Sequence, residues 1–238
     1  MNLDEKIINA LKDLDYKEAT EIQKKAIPIA LKKRDILAAA QSGTGKTAAF
    51  LLPILTELLA NKQVDKPILR ALILVPTREL ATQISKAVSD FSKYMEVESL
   101  AMVGGVSTKD QEKKIAKGLD ILVATSGRLM EHLKNGTVDL SSVTTVVIDE
   151  VDTMLDMGFL EDIEKILPSV GPKRQIMMFS ATMNQNVKKL AKEFLTDPVV
   201  VEVAQQRSAV KIIDQQIVLV DEANKAAALS YIIGSRNY

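Results

Sequence analysis

Seven short apolar runs that do not alternate with polar residues constrain this chain more than any other feature. They cover residues 36–39, 71–75, 100–103, 121–124, 146–148, 176–179 and 199–201. A strand with one wet face alternates, whereas a strand buried on both faces reads as continuous apolar sequence. Charged segments with helical spacing separate most of the runs, and strand–helix alternation implies right-handed crossovers between parallel strands. The pattern predicts an α/β fold: a parallel β-sheet of about seven strands with helices on both faces. In such sheets ligands bind beyond the carboxyl ends of the strands. Residues that carry chemistry are therefore expected just after each run. Two helices precede the first run. One carries Leu3, Ile7, Ile8, Leu11 and Leu14 at helical spacing; the other extends from about Thr20 to Leu31 and is bent at Pro28.

Composition narrows the function classes. The chain has 238 residues, room for one large α/β domain or two small ones. Lysine plus arginine and aspartate plus glutamate both number 31, so the formal net charge is zero. A protein that grips nucleic acid by counter-ion release carries a basic excess, so nucleic-acid binding here must rest on individually placed groups. There are no cysteines, which excludes disulfides, thiolate catalysis and cysteine-bound zinc. The single histidine, His132, lies in a helix-like stretch and reads as a solvated surface residue. No apolar stretch spans a bilayer and the amino terminus is unlike a secretory signal, so a cytoplasmic, non-membrane protein is expected by exclusion.

The first run is followed by Ala40-Gln41-Ser42-Gly43-Thr44-Gly45-Lys46-Thr47 and then an apolar helix. This fits the phosphate loop G-x-x-x-x-G-K-[ST], with Ala40 in place of the first glycine. Gly43 and Gly45 let the backbone wrap phosphate oxygens, and Ser42, Thr44 and the following amides line the same turn beside a helix N-terminus. Lys46 is expected at the β/γ-phosphates of ATP, and the Thr47 hydroxyl on Mg2+. The run 146–148 ends in Asp149-Glu150. Asp149 is placed to hold the magnesium shell, and Glu150 to act as general base toward a water attacking the γ-phosphate. A small-molecule kinase is the rival in this class, but the remaining motifs point away from it.

With Asp149-Glu150-Val151-Asp152 the chain resembles a DEAD-box RNA helicase, Val151 standing where that family has alanine. The resemblance covers residues 2 to about 203. It implies the first, RecA-like P-loop NTPase domain of an enzyme that hydrolyses ATP to unwind or remodel RNA. Within it, the stretch from Tyr16 through Thr20 to Gln23 is similar to the family's Q motif. Gln23 would read the adenine edge, Thr20 would support the phosphate loop, and Tyr16 is grouped with the cofactor-binding residues. Three further segments resemble its RNA-gripping motifs: Pro76-Thr77-Arg78, Gly104-Gly105 and Thr125-Ser126-Gly127-Arg128, with Ser126 in place of proline. Such groups hold phosphates and ribose hydroxyls without reading bases. Thr77 also suits a helix N-cap. Ser180-Ala181-Thr182 matches the motif that couples hydrolysis to strand separation, the Ser180 and Thr182 hydroxyls bonding Asp152. Asp156-Met157-Gly158-Phe159 reads as packing and a helix break.

The polar stretch from Gln205 to Ser208 marks a boundary. Residues 1–206 are read as the helicase ATP-binding domain. Residues 207–238 are read as a linker and the truncated start of a second helicase domain, whose arginine-rich motif is not found. Without those arginines turnover loses a factor of ~10³–10⁵, so the chain alone is expected to bind ATP better than it hydrolyses it. In the tail, Ile212, Ile213 and 217–220 read as strand-like. Ala226, Ala227, Leu229, Ile232 and Ile233 read as one side of a helix. These surfaces are expected to dock against the first domain or to support a tail-mediated dimer. An ATP-gated RNA clamp with little turnover is the alternative to an RNA-stimulated ATPase that locally opens duplexes, and a DNA-directed motor is a third reading.

Overall fold

The seven runs become β1 (Ile36–Ala39), β2 (Ala71–Val75), β3 (Ser99–Met102), β4 (Ile121–Thr125), β5 (Thr145–Ile148), β6 (Gln175–Ser180) and β7 (Val199–Glu202). A computed structural model, which describes residues 3–61, 67–203 and 217–235, joins them into one sheet in the order β3-β4-β2-β5-β6-β1-β7. All pairings are parallel. Between them lie α1 (Glu5–Asp13), α2 (Glu21–Ala30), α3 (Lys46–Ala60), α4 (Arg78–Phe91), α5 (Thr108–Lys117), α6 (Ser126–Lys134), α7 (Val151–Asp156), α8 (Leu160–Ile166) and α9 (Gln185–Phe194).

The absence of alternation has the predicted cause. In β2, Ile73 and Val75 enter one core layer with Ile22, Phe50 and Ile84 from α2, α3 and α4. Leu72 and Leu74 enter the opposite layer with Leu129, Met154 and Leu190 from α6, α7 and α9. Successive strand residues point to opposite faces, and both faces are covered. The Phe50 and Phe179 rings, 5.4 Å apart, fasten α3 to β6. A buried side chain of this size stabilises the fold by roughly 1.5–3 kcal/mol.

The sheet order sorts the motifs into two groups. Strands β5, β6 and β1 are neighbours, with Ala39 registered beside Ser180 and Ile148 beside Met178. The phosphate loop, Ser180-Ala181-Thr182 and the Asp149-Glu150 turn therefore leave adjacent strand ends. Strands β3, β4 and β2 are also neighbours, and they carry the three segments read as RNA-gripping. Such sorting requires the crossovers of the sheet and cannot be read along the chain.

The chain divides into two compact units, Met1–Ala204 and Gln205–Tyr238. In the second, the described residues form a short 3-10 turn (Glu222–Asn224) and α10 (Lys225–Ser235), which contains Ala226, Ala227, Leu229, Ile232 and Ile233. Ile212 and Ile213 lie outside the described residues. The strand expected at 217–220 is not formed, and Ile217 and Leu219 are 92% and 93% exposed. β-propensity alone makes no strand: it needs a neighbour's N–H and C=O groups.

Candidate functional site

The loop from Ala40 to Lys46 takes its shape from two left-handed glycines, Gly43 (φ 81°) and Gly45 (φ 93°). Ala40 N–H donates to the Ser180 carbonyl at 2.9 Å, extending the β1–β6 pairing by one residue. The Thr44 hydroxyl then closes the turn on the Gln41 carbonyl at 2.7 Å. Gly45 must be glycine for a second reason. A Cβ there would lie 2.5 Å from Gln23 Nε2 and 2.9 Å from Thr20 Oγ1.

Thr20 and Gln23 buttress this loop. Thr20 caps α2, and Gln23 Oε1 accepts from the Thr20 amide at 2.9 Å in a capping box. Gln23 Nε2 donates to the Gly45 carbonyl at 3.2 Å. A primary amide offers two N–H groups and two lone pairs, so one of each remains for a base edge. Tyr16 is not brought to the loop by any such bond; its ring packs edge-on against Phe91 at 5.7 Å, at the far end of α4.

Lys46 opens α3 with its side chain 6% exposed. Its Nζ lies 3.4 Å from Asp149 Oδ1 but makes no hydrogen bond. A buried ammonium without a hydrogen-bonded partner is costly. It sits behind a glycine loop at a helix N-terminus, where a phosphate would supply the missing acceptors. Asp149 is itself only 2% exposed. Burial pushes its carboxyl above the usual carboxylate range, against the opposing pull of Lys46. Thr47 follows on the first turn of α3, half-buried. Among the described residues no group of three or more acidic or histidine side chains could hold a metal ion. A divalent cation here would have to lean on Thr47, Asp149 and the oxygens of its ligand, as Mg2+ does with nucleotides.

After Asp149 the chain turns sharply. Glu150 adopts a left-handed conformation (φ 53°, ψ 50°) as N-cap of α7. A non-glycine residue there costs of order 1–3 kcal/mol, and such strain clusters at functional sites. The turn leaves the Glu150 carboxylate half-exposed, with the Ser42 hydroxyl of the phosphate loop at 3.5 Å. Val151 is fully buried in the second core layer. One residue on, Asp152 Oδ2 accepts from both the amide and the hydroxyl of Thr182, each at 2.9 Å. Burial works to raise the Asp152 carboxyl, but the Thr182 and Ser180 hydroxyls and nearby amides outweigh it and hold it below the usual range. The Ser180 hydroxyl also donates to the Thr182 carbonyl at 2.7 Å, so besides lying beside the Asp152 carboxylate it shapes the turn that delivers Thr182.

Beyond β3, β4 and β2 the remaining segments form a second constellation. Pro76 is buried and Thr77 caps α4, accepting from the Leu80 amide at 3.2 Å. Arg78 Nη1 donates to the Gly104 carbonyl at 3.2 Å, lying where a side chain on Gly105 (φ 77°) would collide with it. Thr125 caps α6, Gly127 is exposed, and Arg128 folds inward with its side chain 12% exposed. Arg128 Nη1 donates to the Val106 carbonyl at 2.8 Å and to Gln111 Oε1 at 3.1 Å, while Nε pairs with Glu131 at 3.0 Å. Ser126 is 1% exposed and its hydroxyl makes no hydrogen bond.

His132 corrects the sequence reading. It is 1% exposed, with Nε2 against Gln111 Oε1 at 3.0 Å and Nδ1 against the Thr137 hydroxyl at 2.7 Å. Burial, and then the Arg128 charge, push its pKa below the usual value. One signal was present, since His132 stands four residues after Arg128 and so shares its helix face. Nothing along the chain marks Gln111.

The DEAD/DEAH box helicase family profile matches residues 20–190. The DEAD-box ATP-dependent RNA helicase RhpA of Helicobacter pylori is 38% identical over 99% of this chain and 47% of its own length. The RNA helicase CrhR of Synechocystis is 41% identical over 98% of the chain and 46% of its own. The chain thus spans less than half the length of these relatives. Among solved structures, a DEAD box protein from the hyperthermophile Methanococcus jannaschii superposes with a TM-score of 0.80 at 33% identity, covering 98% of this chain and 62% of that one. With the profile match spanning the phosphate loop, the Asp149–Asp152 turn and Ser180 to Thr182, the chain belongs to the DEAD/DEAH box helicase family.

Proposed function

We propose that this chain is the ATP-binding part of an RNA-dependent ATPase that remodels or locally unwinds RNA. The observation that carries the reading is the buried Lys46 ammonium, unbonded behind a glycine loop and beside Asp149. Lys46, the loop amides from Ser42 to Lys46 and Thr44 would bind the ATP phosphates. Thr20 and Gln23 would fix the loop, with the free half of the Gln23 amide turned to adenine. Tyr16, whose ring packs against Phe91, would not touch the nucleotide directly. Thr47 and Asp149 would hold Mg2+, which when bound withdraws charge from the phosphates. Glu150 would take the proton of the attacking water from its strained turn. Asp152 and Thr182 would tie that turn to β6 and the coupling segment.

Pro76, Thr77, Arg78, Gly104, Gly105, Thr125, Gly127 and Arg128 would form the RNA surface. Exposed glycine amides and a capping threonine suit backbone contacts independent of sequence. The zero net charge supports such placed contacts over a diffuse basic field. The partners would be RNA and a second helicase domain of the kind the relatives' greater length accommodates. The protein would work in the cytoplasm; among the described residues no helix is long and apolar enough to cross a membrane. The exposed Ile217 and Leu219 would favour tail-mediated association. Light scattering with and without residues 207–238 tests it, and a strictly monomeric full chain would refute it.

Phosphate release by the full-length protein, carrying the second helicase domain, with RNA, with DNA and with neither tests the main reading. RNA-specific stimulation that Glu150→Gln removes, with ATP binding retained, is the expected result. Equal turnover in Glu150→Gln and parent would take the base role from Glu150. ATP-dependent RNA retention without phosphate release would favour the clamp.

A further inference from the structure

The loop at residues 103–106 is held from beneath by side chains on three helices. Gln111 on α5 donates from Nε2 to the Val103 carbonyl at 3.1 Å. Arg78 on α4 takes the Gly104 carbonyl at 3.2 Å, and Arg128 on α6 takes the Val106 carbonyl at 2.8 Å. In a planar trans peptide the carbonyl and the next N–H point in opposite directions. Fixing these carbonyls toward the protein therefore turns the amides of Gly104, Gly105 and Ser107 away from it. Gly105 and Ser107 are exposed and Gly104 partly so. Outward amides on a turn with a left-handed glycine suit an anion.

Gln111 is the centre of this arrangement and is 2% exposed. Its Oε1 accepts from Arg128 at 3.1 Å and from His132 Nε2 at 3.0 Å. The Val103 carbonyl fixes the amide with Nε2 toward it, so Oε1, which can only accept, faces Arg128 and His132. The imidazole must then carry its proton on Nε2, leaving Nδ1 as an acceptor for the Thr137 hydroxyl at 2.7 Å, a shorter contact than that hydroxyl's 3.1 Å to the His132 carbonyl. Each member has a partner, and a satisfied buried polar network fixes one geometry at high cost to alternatives.

We propose that Gln111 and His132 are positioning residues for RNA binding: buried and never touching RNA, they hold Arg128 and the 103–106 carbonyls so that the loop amides face a phosphate. The role rests on the RNA-surface reading above. Gln111→Met and His132→Phe keep volume while deleting the bonds. His132→Gln returns a donor near the place of imidazole Nε2. Two quantities are measured on the full chain: hydrogen exchange over residues 102–108 without RNA, and affinity for a labelled single-stranded oligouridylate with MgATP present.

The expected result is faster loop exchange and about tenfold weaker RNA binding in the first two variants, about 1.4 kcal/mol. MgATP affinity stays unchanged, and His132→Gln recovers most of both losses. A fall in melting temperature with RNA affinity intact would overturn the role and leave a purely structural network. So would RNA loss without any change in loop exchange. If the parent chain fails to bind RNA at all, the RNA-surface reading falls and takes this role with it, whereas the exchange data still report whether the network holds the loop.

Discussion

Thr182→Val isolates the link between the catalytic turn and β6. Valine matches threonine in shape, so the change deletes one hydrogen bond and little else. Asp152 keeps the Thr182 amide at 2.9 Å and loses the hydroxyl at 2.9 Å. A hydrogen bond to a charged acceptor is worth about 1.5–3 kcal/mol. Thr182 itself is exposed, and solvent screening brings the expected loss to about 1–1.5 kcal/mol. The pH dependence has a fixed sign. The folded Asp152 carboxyl lies below its ordinary value, so its contribution is present above the unfolded value and is lost as pH falls through the folded one. The variant loses one of the bonds that lower it. The gap between parent and variant should be full at neutral pH and close below about pH 4. Urea unfolding of parent, Thr182→Val, Asp152→Ala and the double variant measures this. A coupling of about 1 kcal/mol is expected, and additivity within about 0.5 kcal/mol would refute the link.

Two further outcomes follow from the same geometry. Gly45→Ala forces a side chain onto φ 93° and into Gln23 and Thr20. It should cost at least about 1–2 kcal/mol in chemical unfolding and weaken ATP binding; an unchanged midpoint would contradict the close approach. Val151→Ala empties volume at a fully buried position and should lower stability by about 1–2.5 kcal/mol with only a modest change in activity. A large gain in RNA-stimulated ATPase would show instead that the valine restrains the enzyme.

The strands were legible because burial on both faces leaves a one-dimensional trace: every residue of β2 is apolar, whichever layer it enters. The phosphate loop was legible because its glycines, lysine and threonine are contiguous. Sheet order was not, since nothing local tells that β1 lies beside β6 and β7. The same distance in sequence hid the burial of His132, whose partner Gln111 is 21 residues away. It also hid the use of Tyr16 against Phe91 and the engagement of half the Gln23 amide. The segment 217–220 misled in the opposite direction. Its apolar, β-branched composition reads as a strand, but a strand forms only where another supplies the ladder.

Calorimetric titration of MgATP into the chain and into Lys46→Ala tests the central claim most directly. The account predicts binding by the parent chain and a loss of at least about tenfold in the variant, with the circular dichroism spectrum of the fold retained. Equal affinity in the two proteins would contradict it, because the buried ammonium of Lys46 would then have no phosphate to meet.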